Sequence, residues 1–369
     1  MKATDRRWVV KIGSALLTDL TSGLDRRMIT RLVGEVVELR ERGVDVVLVS
    51  SGSIVEGMQR LGWQERPREL YKLQAAAAVG QMGLVETYQR AFSEYGVQAA
   101  QVLLTDADLT DRSRYLNARS ALRTLLQLGT VPVVNENDSV VTQEIRFGDN
   151  DTLAALVANL IEAEYLLILT DQEGLYDRDP NSAERAQLIE EGVAGDPLLE
   201  QYAGPGSKLG RGGMLTKLQA AGKAARSGAS TIILSGRHAG RLIEVLDGRV
   251  KGTLLKAESG RLTARKQWLA GRLRASGRLL LDSGAVKVLT QSGRSLSPVG
   301  VRAIEGVFER GELVDCVDET TGAVIARGLV NYSSVEAGQI IGQPSAKIEQ
   351  ILGYVDEPEL IHRDNIVIQ

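Results

Sequence analysis

Histidine and cysteine are almost missing from this chain, and their scarcity removes whole classes of chemistry. Two histidines, His238 and His362, and one cysteine, Cys316, stand among 369 residues. Zinc centres of the Cys/His type are out, and so is a Ser-His-Asp arrangement in the first half. No internal disulfide can form, which points to a reducing compartment. Aromatic residues are 4% of the chain, and Trp63, Trp268 and Phe308 read as packing or edge residues rather than a base-stacking platform. The net charge is −3, so the surface as a whole is not built for nucleic acid, although a local basic face stays open. No run approaches the roughly 18 apolar residues needed to span a membrane. The opening residues pass straight into Arg7-Trp8-Val9-Val10-Lys11 without an apolar signal core. The expectation is a cytoplasmic protein with no membrane partner.

What is present is an alternation of apolar strands and amphipathic helices. Strands are predicted over 8–12, 44–49, 99–104, 131–134, 165–169 and 231–234. Helices are predicted over 28–40, 70–95, 113–128, 153–162 and 214–227. In the first of these, Met28, Ile29, Leu32, Val33, Val36, Val37 and Leu39 recur with a period near 3.6 residues. Strands that are apolar throughout belong in a sheet covered on both faces. The expected fold class is α/β, a mostly parallel three-layer αβα sandwich, with ligands at the carboxyl ends of the strands. After about residue 256 the pattern changes. A basic connector over 261–274 carries Arg261, Arg265, Arg272 and Arg274, read as a solvated face, and short strands follow over 278–281, 285–289, 313–317 and 323–329. Asp318-Glu319-Thr320-Thr321-Gly322 reads as a hairpin turn between the last two. The expected division is an α/β catalytic domain over 1–258, a linker over 259–275, a β-rich domain over 276–356 and a tail over 357–369.

Neither common nucleotide fingerprint occurs, neither G-x-x-x-x-G-K-[ST] nor G-x-G-x-x-G after the first strand. In their place stand Lys11-Ile12-Gly13-Ser14 after the first strand and Ser50-Ser51-Gly52-Ser53 after the second. Gly210-Arg211-Gly212-Gly213-Met214-Leu215-Thr216-Lys217 opens a helix. Small residues let backbone N–H groups approach an anion, and a helix N-terminus favours phosphate. Lys217 in the first turns would lean back toward that phosphate. Two polar clusters, Asn135-Glu136-Asn137-Asp138 and Phe147-Gly148-Asp149-Asn150-Asp151, flank a strand end and a helix start. Each element alone is also what an ordinary capped loop contains. The conjunction points to phosphate binding.

Taken in order, with Leu169-Thr170-Asp171-Gln172-Glu173-Gly174-Leu175-Tyr176, these segments resemble the glutamate 5-kinase family of the amino acid kinase superfamily. The resemblance covers residues 1 to about 256, and the tail resembles a PUA-like barrel domain, often carried by bacterial members. It implies transfer of the γ-phosphoryl of ATP to the side-chain carboxylate of L-glutamate, the step that opens proline biosynthesis. Lys11 and Lys217 are then catalytic, with Asp151 holding both ammonium groups. Ser51, Asn135, Asp138, Asp149 and Asn150 grip glutamate. Lys11, Thr170, Asp171, Arg211, Gly212, Gly213, Met214, Leu215, Thr216 and Lys217 bind ATP, and Mg2+ arrives with the nucleotide, with no metal ligands from the protein. The family usually has a small hydroxyl residue where Arg211 stands; the arginine either adds a phosphate contact or faces solvent. Proline as inhibitor, a homo-oligomer and hand-over to glutamyl phosphate reductase are further implications. The rival readings are a kinase for acetylglutamate, aspartate, carbamate or UMP, and an RNA-binding protein acting through the tail. His238 and His362 read as structural or exposed, and Cys316 as a small core residue.

Overall fold

Trp8, Val9, Val10 and Ile12 are fully shielded from solvent, and a strand with no wet face has to lie inside a sheet covered on both sides. In the computed structural model this strand, β1 (Arg7–Ile12), is the centre of the first of two units. The structure describes residues 6–19, 23–140, 150–180, 186–203, 213–258 and 275–368. By contacts the chain divides into 1–109 with 118–265, and 110–117 with 266–369. The predicted linker over 259–275 lies outside the described residues except for its last position.

β2 (Thr18–Asp19) and β3 (Gly23–Leu24) form a small hairpin. The remaining strands of the unit are β4 (Asp45–Val49), β5 (Ala99–Leu104), β6 (Val131–Glu136), β7 (Tyr165–Thr170), β8 (Glu191–Val193), β9 (Ser230–Ser235) and β10 (Thr253–Lys256). With β1 they make one sheet in the order β5-β6-β4-β1-β7-β9-β10-β8, parallel except between β9 and β10. Strands β4 to β6 lie on one side of β1, and every later strand of the sheet lies on the other. The carboxyl end of β1 therefore borders a topological switch, where open α/β sheets bind ligands.

Helices α1 (Ser14–Leu17), α2 (Arg26–Glu41), α3 (Ser53–Arg60), α4 (Leu70–Ser93), α5 (Asp106–Thr110), α6 (Arg112–Gln127), α7 (Asn150–Ile161), α8 (Pro197–Glu200), α9 (Met214–Ala225) and α10 (Arg241–Leu246) complete the unit, apart from residues 110–117 at the end of α5 and the start of α6. The seven apolar residues that predict α2 are its buried residues, and Asp25 caps it by accepting from Met28 N at 2.9 Å. Where α3 and α4 cross, Gly57 and Gly80 let the two backbones touch. A Cβ on Gly57 would lie 1.7 Å from Ala76 O, and one on Gly80 would lie 1.8 Å from Ser53 O. Only glycine permits that approach, and it brings α4 close to the end of β4.

The second unit is a five-stranded sheet in the order β12-β11-β13-β14-β15, built from β11 (Gly277–Leu281), β12 (Val301–Gly306), β13 (Leu313–Asp318), β14 (Val324–Leu329) and β15 (Ile366–Ile368). The predicted turn is present: Asp318 Oδ1 accepts from Thr320 N at 2.9 Å, and Gly322 adopts φ +69°. The strand predicted over 285–289 is instead part of a helix, α11 (Ser283–Ser292). Asp282 caps its start by accepting from Ala285 N at 2.8 Å, and Gly293 closes it at φ +57°. Val286 and Val288 carry high strand propensity, but the two caps decide the segment. β15 pairs with β14, although it lies in the stretch read as a tail; three apolar residues are too short a run to register as a strand. Phe308 and Cys316 are buried in this unit's core.

Candidate active site

A carboxylate cut off from water is stable only when paired, and Asp151 is fully buried. It is the second residue of α7, so its charge also suits a helix N-terminus. Two ammonium groups meet it from different elements. Lys11, near the end of β1, places Nζ 2.5 Å from Asp151 Oδ1, and Lys217, in the first turns of α9, places Nζ 3.0 Å from Oδ2. Both lysines are themselves buried. Thr216 Oγ1 lies 2.9 Å from Asp151 Oδ2 and 2.8 Å from Gly213 O, at the N-cap of α9. Burial pushes the Asp151 carboxyl up, but Lys11 and Lys217 outweigh it and hold the group well below the usual carboxylate range. Two cations against one anion leave this trio one positive charge in a nearly dry setting, where charge acts most strongly.

One residue earlier on the same helix, Asn150 serves a different cluster. Its Nδ2 lies 2.6 Å from Ser50 O, 2.9 Å from Asn135 Oδ1 and 3.0 Å from Ser51 Oγ. Asn135, at the end of β6, also accepts from Glu136 N at 2.9 Å and donates from Nδ2 to Gln81 Oε1 at 2.7 Å. Asp138 lies just beyond; its Oδ2 accepts from Ser53 Oγ at 3.0 Å. Burial raises the Asp138 carboxyl to about 6 against the opposing pull of that hydrogen bond. The site thus has a charged half and an amide half, joined through consecutive residues of α7.

At the end of β7, the strand beside β1, Thr170 is buried and its Oγ1 lies 3.1 Å from Asp171 Oδ1. Asp171 is exposed. Met214 is half-buried and Leu215 is exposed on the first turn of α9. Of the residues singled out from the sequence, Lys11, Asp151, Gly213, Thr216 and Lys217 converge on one point, and Ser51, Asn135 and Asn150 on another. Asp138 is tied to α3 through Ser53 and shares no hydrogen bond with either group among the described residues. Asp149, Arg211 and Gly212 lie outside the described residues. No group of three or more His, Cys, Asp or Glu among the described residues could hold a metal ion. Sequence reasoning passes over Gln81 and Tyr88, both on the buried face of α4. The available signal is a polar side chain at an apolar position of that helix's periodic pattern.

The raised Asp138 carboxyl has a consequence for stability. Its folded pKa lies above the ordinary value of about 3.9, so the folded protein holds its proton longer than the unfolded chain. This contribution is fully present below about 4 and is lost as pH rises through about 6. Asp138→Asn is therefore expected to raise Tm at pH 8 and leave it nearly unchanged at pH 4. Thermal unfolding at the two pH values checks this; an equal change at both would mean that ionisation of Asp138 costs the fold nothing.

The chain matches the amino acid kinase family over residues 6–235 and the PUA domain over residues 277–352. A glutamate 5-kinase of Thioalkalivibrio sulfidiphilus is 60% identical over 364 residues, which cover 98% of this chain and 97% of that one. One of Ectopseudomonas mendocina is 59% identical over 364 residues, 98% of each chain. The chain belongs to the glutamate 5-kinase family. The first unit of this kinase carries the amino acid kinase fold, and its C-terminal sheet belongs to the PUA domain. Its fold is also that of carbamate kinase from Giardia lamblia bound to AMP-PNP. There the TM-score is 0.51 at 17% identity, covering 69% of the kinase and 99% of the other chain. No helix among its described residues is long and apolar enough to cross a membrane.

Proposed function

We propose that this kinase transfers the γ-phosphoryl group of ATP to the side-chain carboxylate of L-glutamate, giving L-glutamyl 5-phosphate and ADP as the first step of proline biosynthesis. The observation that carries the reading is Asp151 held between Lys11 and Lys217 beside the amide cluster of Asn135 and Asn150. A carboxylate oxygen bonds to the γ-phosphorus as the bond from phosphorus to the β-phosphate oxygen breaks. The nucleophile is already an anion, so no general base is needed, and the scarcity of histidine is no obstacle. The remaining work is positioning and neutralising the transferring group. Lys11 and Lys217 supply positive charge from two sides, and Asp151 keeps both ammonium groups aimed. Ser51, Asn135, Asp138, Asp149 and Asn150 bind glutamate, with Asp138 toward its ammonium group. Thr170, Asp171 and the 211–217 segment hold the nucleotide, with Mg2+ entering on its phosphates. The deciding experiment is ATP turnover with L-glutamate and hydroxylamine, which traps the acyl phosphate as hydroxamate. Folded protein that makes no glutamate-dependent hydroxamate, but does turn over acetylglutamate, aspartate, carbamate or UMP, would move the assignment to that acceptor.

Proline resembles a cyclised glutamate skeleton without the reactive carboxylate, so it is expected to compete for the pocket near Asp138 and Asn150. Inhibition should be strongest at subsaturating glutamate and fade as glutamate rises. Activity that stays flat across millimolar proline would remove this regulation. A cytoplasmic homo-oligomer that passes its unstable acyl phosphate to glutamyl phosphate reductase completes the proposal. RNA binding by the PUA domain rests on analogy of fold alone; salt-sensitive retention of RNA is its test.

A further inference from the structure

Gln81 has no part in the scheme above, yet it is only 8% exposed and sits directly behind the amide cluster. Its Oε1 accepts from Asn135 Nδ2 at 2.7 Å, while its own Nε2 is buried without a partner among the described residues. An orphaned buried donor is costly, and the surroundings explain why the side chain cannot turn over to relieve it. Glu136 N is a backbone donor, so Asn135 must present Oδ1 to it, at 2.9 Å. Asn135 Nδ2 is thereby aimed at Gln81, which must answer with oxygen. The same logic runs onward. Ser50 O is a backbone acceptor, so Asn150 must present Nδ2 to it, and that nitrogen also meets Asn135 Oδ1. Asn150 Oδ1 is the end left over, with no partner among the described residues.

We infer that Gln81 is a positioning residue for the acceptor amino acid: by accepting from Asn135 Nδ2 it reinforces the amide orientations that Glu136 N and Ser50 O impose, so that Asn150 Oδ1, an acceptor, faces the substrate's ammonium group. Two features of α4 support the assignment. Its Gly80 lies against the backbone at Ser53, which fixes the helix relative to the end of β4. Tyr88, two turns beyond Gln81 on the same buried face, places its hydroxyl 3.0 Å from Ser50 Oγ. Residues of one helix thus brace Asn135 and Ser50, which both contact Asn150. The inference rests on glutamate being the acceptor, as proposed above. It adds the point that selection for an α-amino group depends on a side chain out of the substrate's reach.

The test compares L-glutamate with glutarate, which has both carboxylates and no ammonium. Gln81→Met keeps the length of the side chain and removes the oxygen; Gln81→Glu, kept protonated by its burial, keeps an acceptor oxygen. In Gln81→Met the KM for glutamate is expected to rise about tenfold or more, the usual scale for leaving a buried donor unmatched. Its kcat should change little, and the inhibition constant of glutarate should hardly move. Gln81→Glu should stay near the parent in both. Equal weakening of glutamate and glutarate, or a fall in kcat at unchanged KM, would overturn the inference. If Gln81→Met does not fold, Gln81→Glu decides alone: a lost preference for glutamate over glutarate despite its acceptor oxygen overturns it. A parent enzyme with no glutamate turnover overturns the acceptor assignment first, so the two failures are told apart.

Discussion

Asp151→Asn is expected to lose about two to three orders of magnitude in turnover, the scale at which misdirected electrostatic groups act on a transition state. The asparagine would fill the same space but could accept from only one lysine. Its NH2 would face the other, donor against donor, with Lys11 Nζ and Lys217 Nζ on opposite oxygens of the native carboxylate. Two buried ammonium groups would then share no counter-charge. Breaking a buried ion pair from one side costs about 3 kcal/mol or more in stability, so Tm should fall together with turnover. The sign of the pH dependence follows from the lowered carboxyl. Its stabilisation is fully present above the ordinary carboxylate range and is lost only as pH falls through the depressed folded value. The Tm gap between parent and variant should therefore stay level from neutral pH down to about 4. Hydroxamate formation and thermal unfolding are the two readouts. A variant with near-parental turnover would show that the carboxylate only fills space.

Lys217→Ala and Lys11→Ala should each cut kcat by a factor corresponding to roughly 3–4 kcal/mol, with a much smaller change in KM for glutamate. In the proposed scheme each ammonium acts on charge that develops during transfer, whereas glutamate is gripped by the amide half of the site. The two variants should differ in one respect. Without Lys217, Asp151 keeps its 2.5 Å contact with Lys11 at the central strand; without Lys11, it keeps the 3.0 Å contact with Lys217 on α9, and the Thr216 contact stays in both. Steady-state kinetics in both substrates checks the split. If KM for glutamate rises as much as kcat falls, the lysine binds the ground state and has been given the wrong task.

Much of the first unit is legible in the amino-acid sequence, because its signals are local. The apolar period of α2 names all seven of its buried residues, and fully apolar strands such as β1 and β7 declare a sheet covered on both faces. Lys11, Asp151 and Lys217 are visible as motif residues, but nothing in a linear pattern says that 66 positions separate two groups that touch. Gln81 shows the limit more sharply. Its partner Asn135 is 54 residues away, and an amide in an alanine-rich helix carries no mark of the strand end it will meet. The opposite error occurs at α11, where Val286 and Val288 suggest a strand. The deciding residues, Asp282 and Gly293, stand outside the apolar run.

Asn150 and Asp151 share a peptide bond, and that bond works as a ruler. Successive Cα atoms sit about 3.8 Å apart, and both are locked into the first turn of one helix. The amide half of the site, proposed to grip the amino acid, cannot drift away from the charged half. Sliding or tilting α7 would move both together and leave their spacing intact. An acceptor of different length would therefore be fitted through side chains at the ends of β4 and β6, whose Ser50, Ser51 and Asn135 meet Asn150.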